Sequence, residues 1–209
     1  MRVTGGELRG RRIRVPRSSA VRPTADRVRE ALFARLGDLE AVHALDLFGG
    51  SGALGIEALS RGAARVVFVE RSAPVAAVLH ANLVEVGMLA RAQVVRGDAA
   101  GVVRRLAAAD ERFDLALLDP PYGEPETANR ALRALATSGI LAPRATVVVE
   151  ASRRHPPQPV EGLVVVDERR YGETVIHRFE FAFETGSEHR MAPGPAEADD
   201  EPTEDEETA

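Results

Sequence analysis

Leu45-Asp46-Leu47-Phe48-Gly49-Gly50-Ser51-Gly52-Ala53-Leu54-Gly55 carries a short apolar strand through a glycine-rich elbow into a helix. Gly50 and Gly52 remove side chains that would hold a ligand off the backbone, and Gly55 lets the helix pack closely on its strand. This spacing alone serves NAD or FAD equally well, or is a plain strand-to-helix elbow. About twenty residues further on, Glu70 ends a second apolar segment, where a carboxylate can accept both hydroxyls of a ribose. Two features argue against a dinucleotide. Asp46 lies inside the strand just before the glycines, and no arginine or lysine occurs from Leu36 through Ser60. A pyrophosphate seeks a helix N-terminus with no acid nearby. S-adenosylmethionine instead brings a sulfonium and an ammonium, which Asp46 can offset, while the helix dipole faces its carboxylate. The chain has no lysine, which excludes a P-loop. Asp98, in Arg96-Gly97-Asp98-Ala99, is placed to accept from an adenine amine or to cap a helix, and the two roles are compatible. Phe48, Ser51, Arg71 and Ala99 complete the expected cofactor set with Asp46, Gly50, Gly52, Glu70 and Asp98.

Outward from this elbow, β-branched and aliphatic runs alternate with alanine-rich stretches, the pattern of a doubly wound α/β sheet. Strands are expected at His43–Phe48, Arg65–Glu70, Ala92–Arg96, Phe113–Asp119, Thr146–Ala151, Leu163–Arg169 and Thr174–Phe183. Helices are expected at about 53–61, 73–86, 99–108 and 125–137. Tyr171-Gly172-Glu173 is too short for a crossover helix, so the last two strands must form an antiparallel hairpin on an otherwise parallel sheet. Before the sheet, residues 1–37 read as a separate unit. Gly5-Gly6 and Gly10 mark turns in a small arginine-studded hairpin or extended arm. Thr24 then caps a helix in which Val28, Ala31, Leu32 and Leu36 share a face.

A chain of 209 residues with 44% apolar composition supports one core. The expected division is an N-terminal extension over 1–37, a catalytic domain over 38–184 and a disordered acidic tail over 185–209. The absence of cysteine excludes disulfides, thiolate zinc sites and cysteine nucleophiles, and no metal is expected. Neither a signal-like h-region nor a long apolar run occurs, so a cytoplasmic, non-membrane protein is the expectation; the sequence leaves the oligomeric state open, with a monomer favoured. The net charge of −5 conceals an asymmetry. Nine acids lie in the tail, against Arg190. Residues 1–35 hold ten arginines against Glu7, Asp26 and Glu30, an electrostatic footprint for a polyanion or else a solvated basic face.

The fourth strand delivers Asp119-Pro120-Pro121-Tyr122 to the carboxyl edge of the sheet, where open α/β sheets bind ligands. An exocyclic amine on a base is a poor nucleophile because its lone pair is conjugated with the ring. Two acceptors on its hydrogens help it pyramidalise. The Asp119 carboxylate and the Pro120 carbonyl can supply them, with the Pro120-Pro121 pair fixing φ beforehand. Tyr122 offers a face for stacking. A strand-stopping Pro-Pro turn is the plainer alternative.

The loop, the strand-end acid and the tetrapeptide, in this order, resemble class I amino-methyltransferases. Gly5-Gly6 through Arg9-Gly10, the stretch Arg22-Pro23-Thr24-Ala25-Asp26-Arg27-Val28-Arg29-Glu30-Ala31-Leu32-Phe33, and Tyr171-Gly172-Glu173-Thr174 closely resemble the RsmD family of bacterial 16S ribosomal RNA guanine-N2 methyltransferases. The likeness spans about residues 1 to 183 and implies a Rossmann-like methyltransferase fold. It further implies that Asp119, Pro120 and Tyr122 hold a guanine of the small subunit RNA, in an assembled subunit or an assembly intermediate. Arg9, Arg11, Arg12, Arg22, Thr24 and Arg27 are then the expected RNA contacts, with arginines forking to phosphates and stacking on unpaired bases. The tetrapeptide does not separate guanine N2 from adenine N6. A DNA or RNA adenine methyltransferase and a non-enzymatic Rossmann module that binds NAD or RNA are therefore the rivals.

Overall fold

The computed structural model describes residues 1–16, 24–121 and 123–182. Arg22, Tyr122, the Thr24 side chain and the expected acidic tail lie outside the described residues. Strands β1 (His43–Asp46), β2 (Arg65–Glu70), β3 (Ala92–Arg96), β4 (Phe113–Leu118), β5 (Leu141–Ser152), β6 (Leu163–Tyr171) and β7 (Thr174–Phe181) form one sheet in the order β3-β2-β1-β4-β5-β7-β6. The first five are parallel, and β7 runs antiparallel to both β5 and β6. This is the Rossmann-like sheet with an antiparallel terminal hairpin that the alternation predicts. Gly172, at φ 63, opens the two-residue link between β6 and β7, a conformation that glycine adopts without strain. Among the described residues, no helix is long and apolar enough to cross a membrane.

Helices α1 (Thr24–Leu36), α2 (Ala53–Ser60), α3 (Ala73–Val86), α4 (Ala99–Ala108) and α5 (Pro125–Thr137) cover the sheet on both faces. Because strand side chains alternate with period two, each strand feeds both layers. Leu45, Val67, Ala116, Leu118, Val147 and Val149 pack under α4 and α5. Ala44, Val66, Phe68, Leu115, Leu117 and Val148 pack under α1, α2 and α3. β5 starts earlier than expected. Phe113 pairs with Leu141 but Leu115 with Thr146, so five residues of β5 oppose two of β4. Pro143, which lacks an N–H for the ladder, and Arg144 at φ 63 lie in this irregular stretch.

The amino-terminal arm does not stand apart. Its hairpin closes through Val3 N–H to the Arg11 carbonyl and Ile13 N–H to the Met1 carbonyl. Its apolar residues Val3, Leu8 and Ile13 are buried in the same cluster as Val28, Phe33 and Leu59, so the arm is part of the helical layer. Gly5-Gly6 shows why the turn is tight. A Cβ on Gly6, at φ 73, would sit 1.7 Å from the Ser60 carbonyl oxygen at the end of α2. Glu7 N–H donates to that carbonyl, and Leu8 N–H to the Ser60 hydroxyl.

Beneath this turn lies Glu57, wholly buried on α2. One carboxylate oxygen accepts from the Thr4 hydroxyl at 2.6 Å and from Arg61 Nε at 2.8 Å. The other accepts from Thr4 N–H at 2.8 Å and from Arg29 Nε at 3.3 Å. Arg29 also reaches Asp26 and the Arg2 carbonyl. Burial alone would raise the Glu57 pKa, but the Thr4 and Arg61 hydrogen bonds and the Arg29 charge outweigh it and hold it below the usual range. Arg29 is thus a structural member of the basic end, 4% exposed, and withdrawn from any surface footprint. Glu57→Ala, which strips buried Arg29 of one of its two acidic partners and leaves the Thr4 and Arg61 donors without their acceptor, should cost about 3–5 kcal/mol in a denaturant titration. A loss below about 1 kcal/mol would show that the arm is held by its apolar contacts alone.

Candidate active site

β1 and β4 are neighbours although β2 and β3 lie on the far side of β1, so the chain reverses direction across the sheet between them. A crevice opens at the carboxyl ends of strands at such a switch point. Here it is a cleft of about 590 Å³. Its floor is Asp46 to Ser51 with Ala53 and Leu54. One wall is Val69, Glu70, Arg71, Val75 and Gly97 to Ala99, and the other is Asp119, Pro120, Pro121, Thr127 and Glu150. The volume lies within the range of ligand pockets. The loop, the strand-end acid and the described part of the tetrapeptide, Asp119 to Pro121, therefore share one cavity.

Asp46 is 1% exposed. Its Oδ2 accepts from Gly55 N–H at 3.0 Å, which fixes the start of α2. Oδ1 has no hydrogen-bond partner among the described residues. Burial, helped by the Glu70 charge, pushes its pKa up to about 7 against the lowering effect of the Gly55 and Phe48 amides. Glu70 is held from both sides. One oxygen accepts from Gly50 N–H at 3.0 Å and the other from Ser72 N–H at 2.7 Å, so it braces the glycine loop from the end of β2. Asp98 caps α4 by accepting from Gly101 N–H at 3.2 Å while lining the cleft.

Three expected positions have structural surroundings of their own. Gly50 lines the cleft but Gly52 does not. At φ 88, Gly52 faces inward, and a Cβ there would lie 2.5 Å from Leu79 Cδ1, so it serves the turn and the core. Arg71 lines the cleft mouth, yet its guanidinium forks onto Glu124, with contacts of 2.7 and 3.1 Å. That pair connects the Glu70 wall of the cleft to the segment that follows the tetrapeptide. Asp119 is exposed and Pro120 buried, so the strand end is anchored while the carboxylate reaches the cleft.

The arm expected to contact RNA also enters the site, because Met1 and Val15 line the cleft. Buried Asn82 on α3 couples the two. Its amide donates to the Ser51 carbonyl at 2.8 Å and to the Arg14 carbonyl at 2.9 Å, and its oxygen accepts from Arg14 N–H at 3.0 Å. Arg9, Arg11, Arg12 and Arg27 are exposed. Arg11 donates to the Glu85 carbonyl and Arg14 pairs with Glu85, both at the surface. Sequence reading missed Met1, Val15, Asn82, Thr127 and Glu150. Asn82 in an apolar helix is the one with a local signal, since a buried amide must find partners.

The family described as conserved hypothetical protein 95 matches residues 1–180. Ribosomal RNA small subunit methyltransferase D of Escherichia coli strain K12 is 39% identical over 155 residues, covering 72% of this chain and 74% of that protein. The protein of the same name from Haemophilus influenzae is 34% identical over 176 residues, covering 82% and 89%. The structure of yhhF from Escherichia coli, described as a candidate methyltransferase, superposes with a TM-score of 0.75 at 31% identity, covering 88% of this chain and 99% of that one. Its sheet and cleft are those of a Rossmann-like class I methyltransferase, and the chain belongs to the conserved hypothetical protein 95 family, the RsmD-type ribosomal RNA methyltransferases that residues 5–33 and 171–174 resemble.

Proposed function

We propose that this chain transfers a methyl group from S-adenosylmethionine to the exocyclic N2 of a guanine in 16S ribosomal RNA, acting on the small subunit or its assembly intermediate. The observation that carries this reading is the shared cavity. Asp46, Gly50, Glu70 and Asp98 meet Asp119 and Pro120 in one cleft, and the arginine-studded arm forms part of its lining. The residues fit the cofactor. Asp46 Oδ1 is a buried acceptor without a hydrogen-bond partner among the described residues, beside a loop whose Gly50 leaves the backbone open. Glu70 and Asp98, their backbone contacts made, retain lone pairs for ribose hydroxyls and an adenine amine.

When bound, S-adenosylmethionine supplies an electrophilic methyl on a sulfonium. The chain's own contribution is placement. Asp119 and the Pro120 carbonyl accept from the two hydrogens of the target amine and turn its lone pair toward the cofactor side of the cleft. Holding the reactants in line is worth up to about 7–11 kcal/mol in favourable cases. Methylation makes the amine a cation that sheds its proton readily, so no strong base is required. A loop guanine, already unpaired, costs little to present. The exposed arginines of the arm grip phosphates nearby.

Asp119→Ala should keep S-adenosylhomocysteine affinity in calorimetry and lower methyl transfer by about 100-fold or more; undiminished transfer would reduce the tetrapeptide to a turn. Replacing Arg9, Arg11 and Arg12 together with glutamine should lower the slope of log affinity against log salt by roughly 2 to 3 for ribosomal RNA, and an unchanged slope would return them to a solvated face. Mass-spectrometric mapping of ribosomal RNA from cells with and without the gene names base, position and atom together. A lost methyl on adenine, or none, would overturn the reading.

Asp46 has its own signature. With its folded pKa raised from 3.8 to about 7, its neutral form contributes stability that is fully present below 3.8 and lost as pH rises through about 7. Asp46→Asn should therefore raise the melting temperature more at about pH 8 than at about pH 5. Equal shifts at both would show that the carboxyl does not titrate in that window.

A further inference from the structure

Neighbouring strands in register bring a second carboxylate beside Asp119. β4 and β5 pair as Leu117 with Val148 and Leu118 with Val149. Leu117 and Val148 pack under α1 to α3, whereas Leu118 and Val149 pack under α4 and α5. One residue further on, Asp119 and Glu150 share the face of Leu117 and Val148, the face on which Asp46 also lies. Glu150 lines the cofactor cleft together with Asp119 and Pro120. It also lines a smaller hollow on the other side of Pro120 and Pro121, bounded by Asn129, Ser152 and His155. It therefore borders both hollows, as Pro120 and Pro121 do.

From this placement we infer that Glu150 is a specificity-determining residue, whose carboxylate accepts the N1–H of the target guanine next to the amine held by Asp119. The inference rests on the guanine-N2 reading and gives it a physical ground. Guanine carries N1–H and the N2 amine side by side, a row of donors that suits two adjacent carboxylates. Adenine presents its amine beside an unprotonated N1, whose lone pair would face Glu150. A carboxylate there rewards guanine and rejects adenine with the same charge, because the unprotonated N1 of adenine would set a lone pair against it. Asp119 cannot make this choice alone, because either amine satisfies it.

The test uses small-subunit particles reconstituted with ribosomal RNA carrying guanine, 2-aminopurine or adenine at the methylated position. 2-Aminopurine keeps the N2 amine and lacks N1–H. The wild-type chain should favour guanine over 2-aminopurine by about 10-fold to 100-fold in kcat/KM. Glu150→Gln, which can donate to an unprotonated N1, should bring that ratio to within about threefold of unity while S-adenosylhomocysteine affinity is unchanged. Glu150→Ala, which removes the charge without adding a donor, should also lower the ratio and serves if the glutamine variant does not fold. A ratio that stays at the wild-type value in the folded variant, whether or not both rates fall, overturns the role of Glu150 and leaves the guanine-N2 function standing. A wild-type chain that methylates the adenine particles and not the guanine ones overturns both.

Discussion

The buried carboxylate of Glu57 ties three pieces of chain that nothing in their order obliges to meet. Thr4 comes from the arm, Arg29 from α1 and Arg61 from the end of α2, and all three donate to it. A buried acid with partners on every side is a strong geometric constraint, because any partner that withdraws leaves a charge in an apolar layer. The arm is consequently seated on α2, with Gly6 against the Ser60 carbonyl. Both strands of its hairpin reach the cleft. Met1 and Val15 become cavity lining, and Asn82 joins Arg14 to the Ser51 carbonyl of the glycine loop.

A second constraint is the period of the β-strand. Asp46, Glu70 and Glu150 sit near the carboxyl ends of β1, β2 and β5, and Asp119 directly follows β4. Their alternation with the residues of the two core clusters puts all four acids on the face of α1 to α3. Each answers a different demand. Asp46 anchors α2 and keeps one oxygen for the cleft, Glu70 braces Gly50, and Asp119 and Glu150 line the cleft one residue beyond the paired Leu118 and Val149. The negative cleft faces an arm rich in arginine, so a cationic cofactor and a polyanionic substrate would meet complementary parts of one site.

Much of this was legible beforehand. The strands at Arg65–Glu70 and Ala92–Arg96 and the helices over 73–86, 99–108 and 125–137 stand at their expected positions, because short apolar runs between alanine-rich stretches admit few other arrangements. Long-range partners set what these residues also do. Gly52, expected beside the ligand, has its backbone turned toward Leu79. Arg71, expected at the cofactor, lines the cleft and also forks onto Glu124, over fifty residues away. Arg29 was counted with the surface charge, but it lies under the arm beside Glu57. In each case the residue type was informative and the partner was not local.

What the sequence determined by itself was the alternation of elements, the glycine elbow with Asp46 and Glu70, the position of Asp119-Pro120-Pro121 at a strand end, and the family. These rest on local periodicity and on chemistry that close neighbours supply. Only the tertiary structure decided that the arm belongs to the cleft wall and that Glu150 lines the same cleft as Asp119. Val147, Val148 and Val149 are all buried, so β5 shows no alternation from which the direction of the next residue could be read. Its face became defined only when the sheet order set β5 beside β4, in a register fixed by long-range pairing rather than by anything adjacent in the chain.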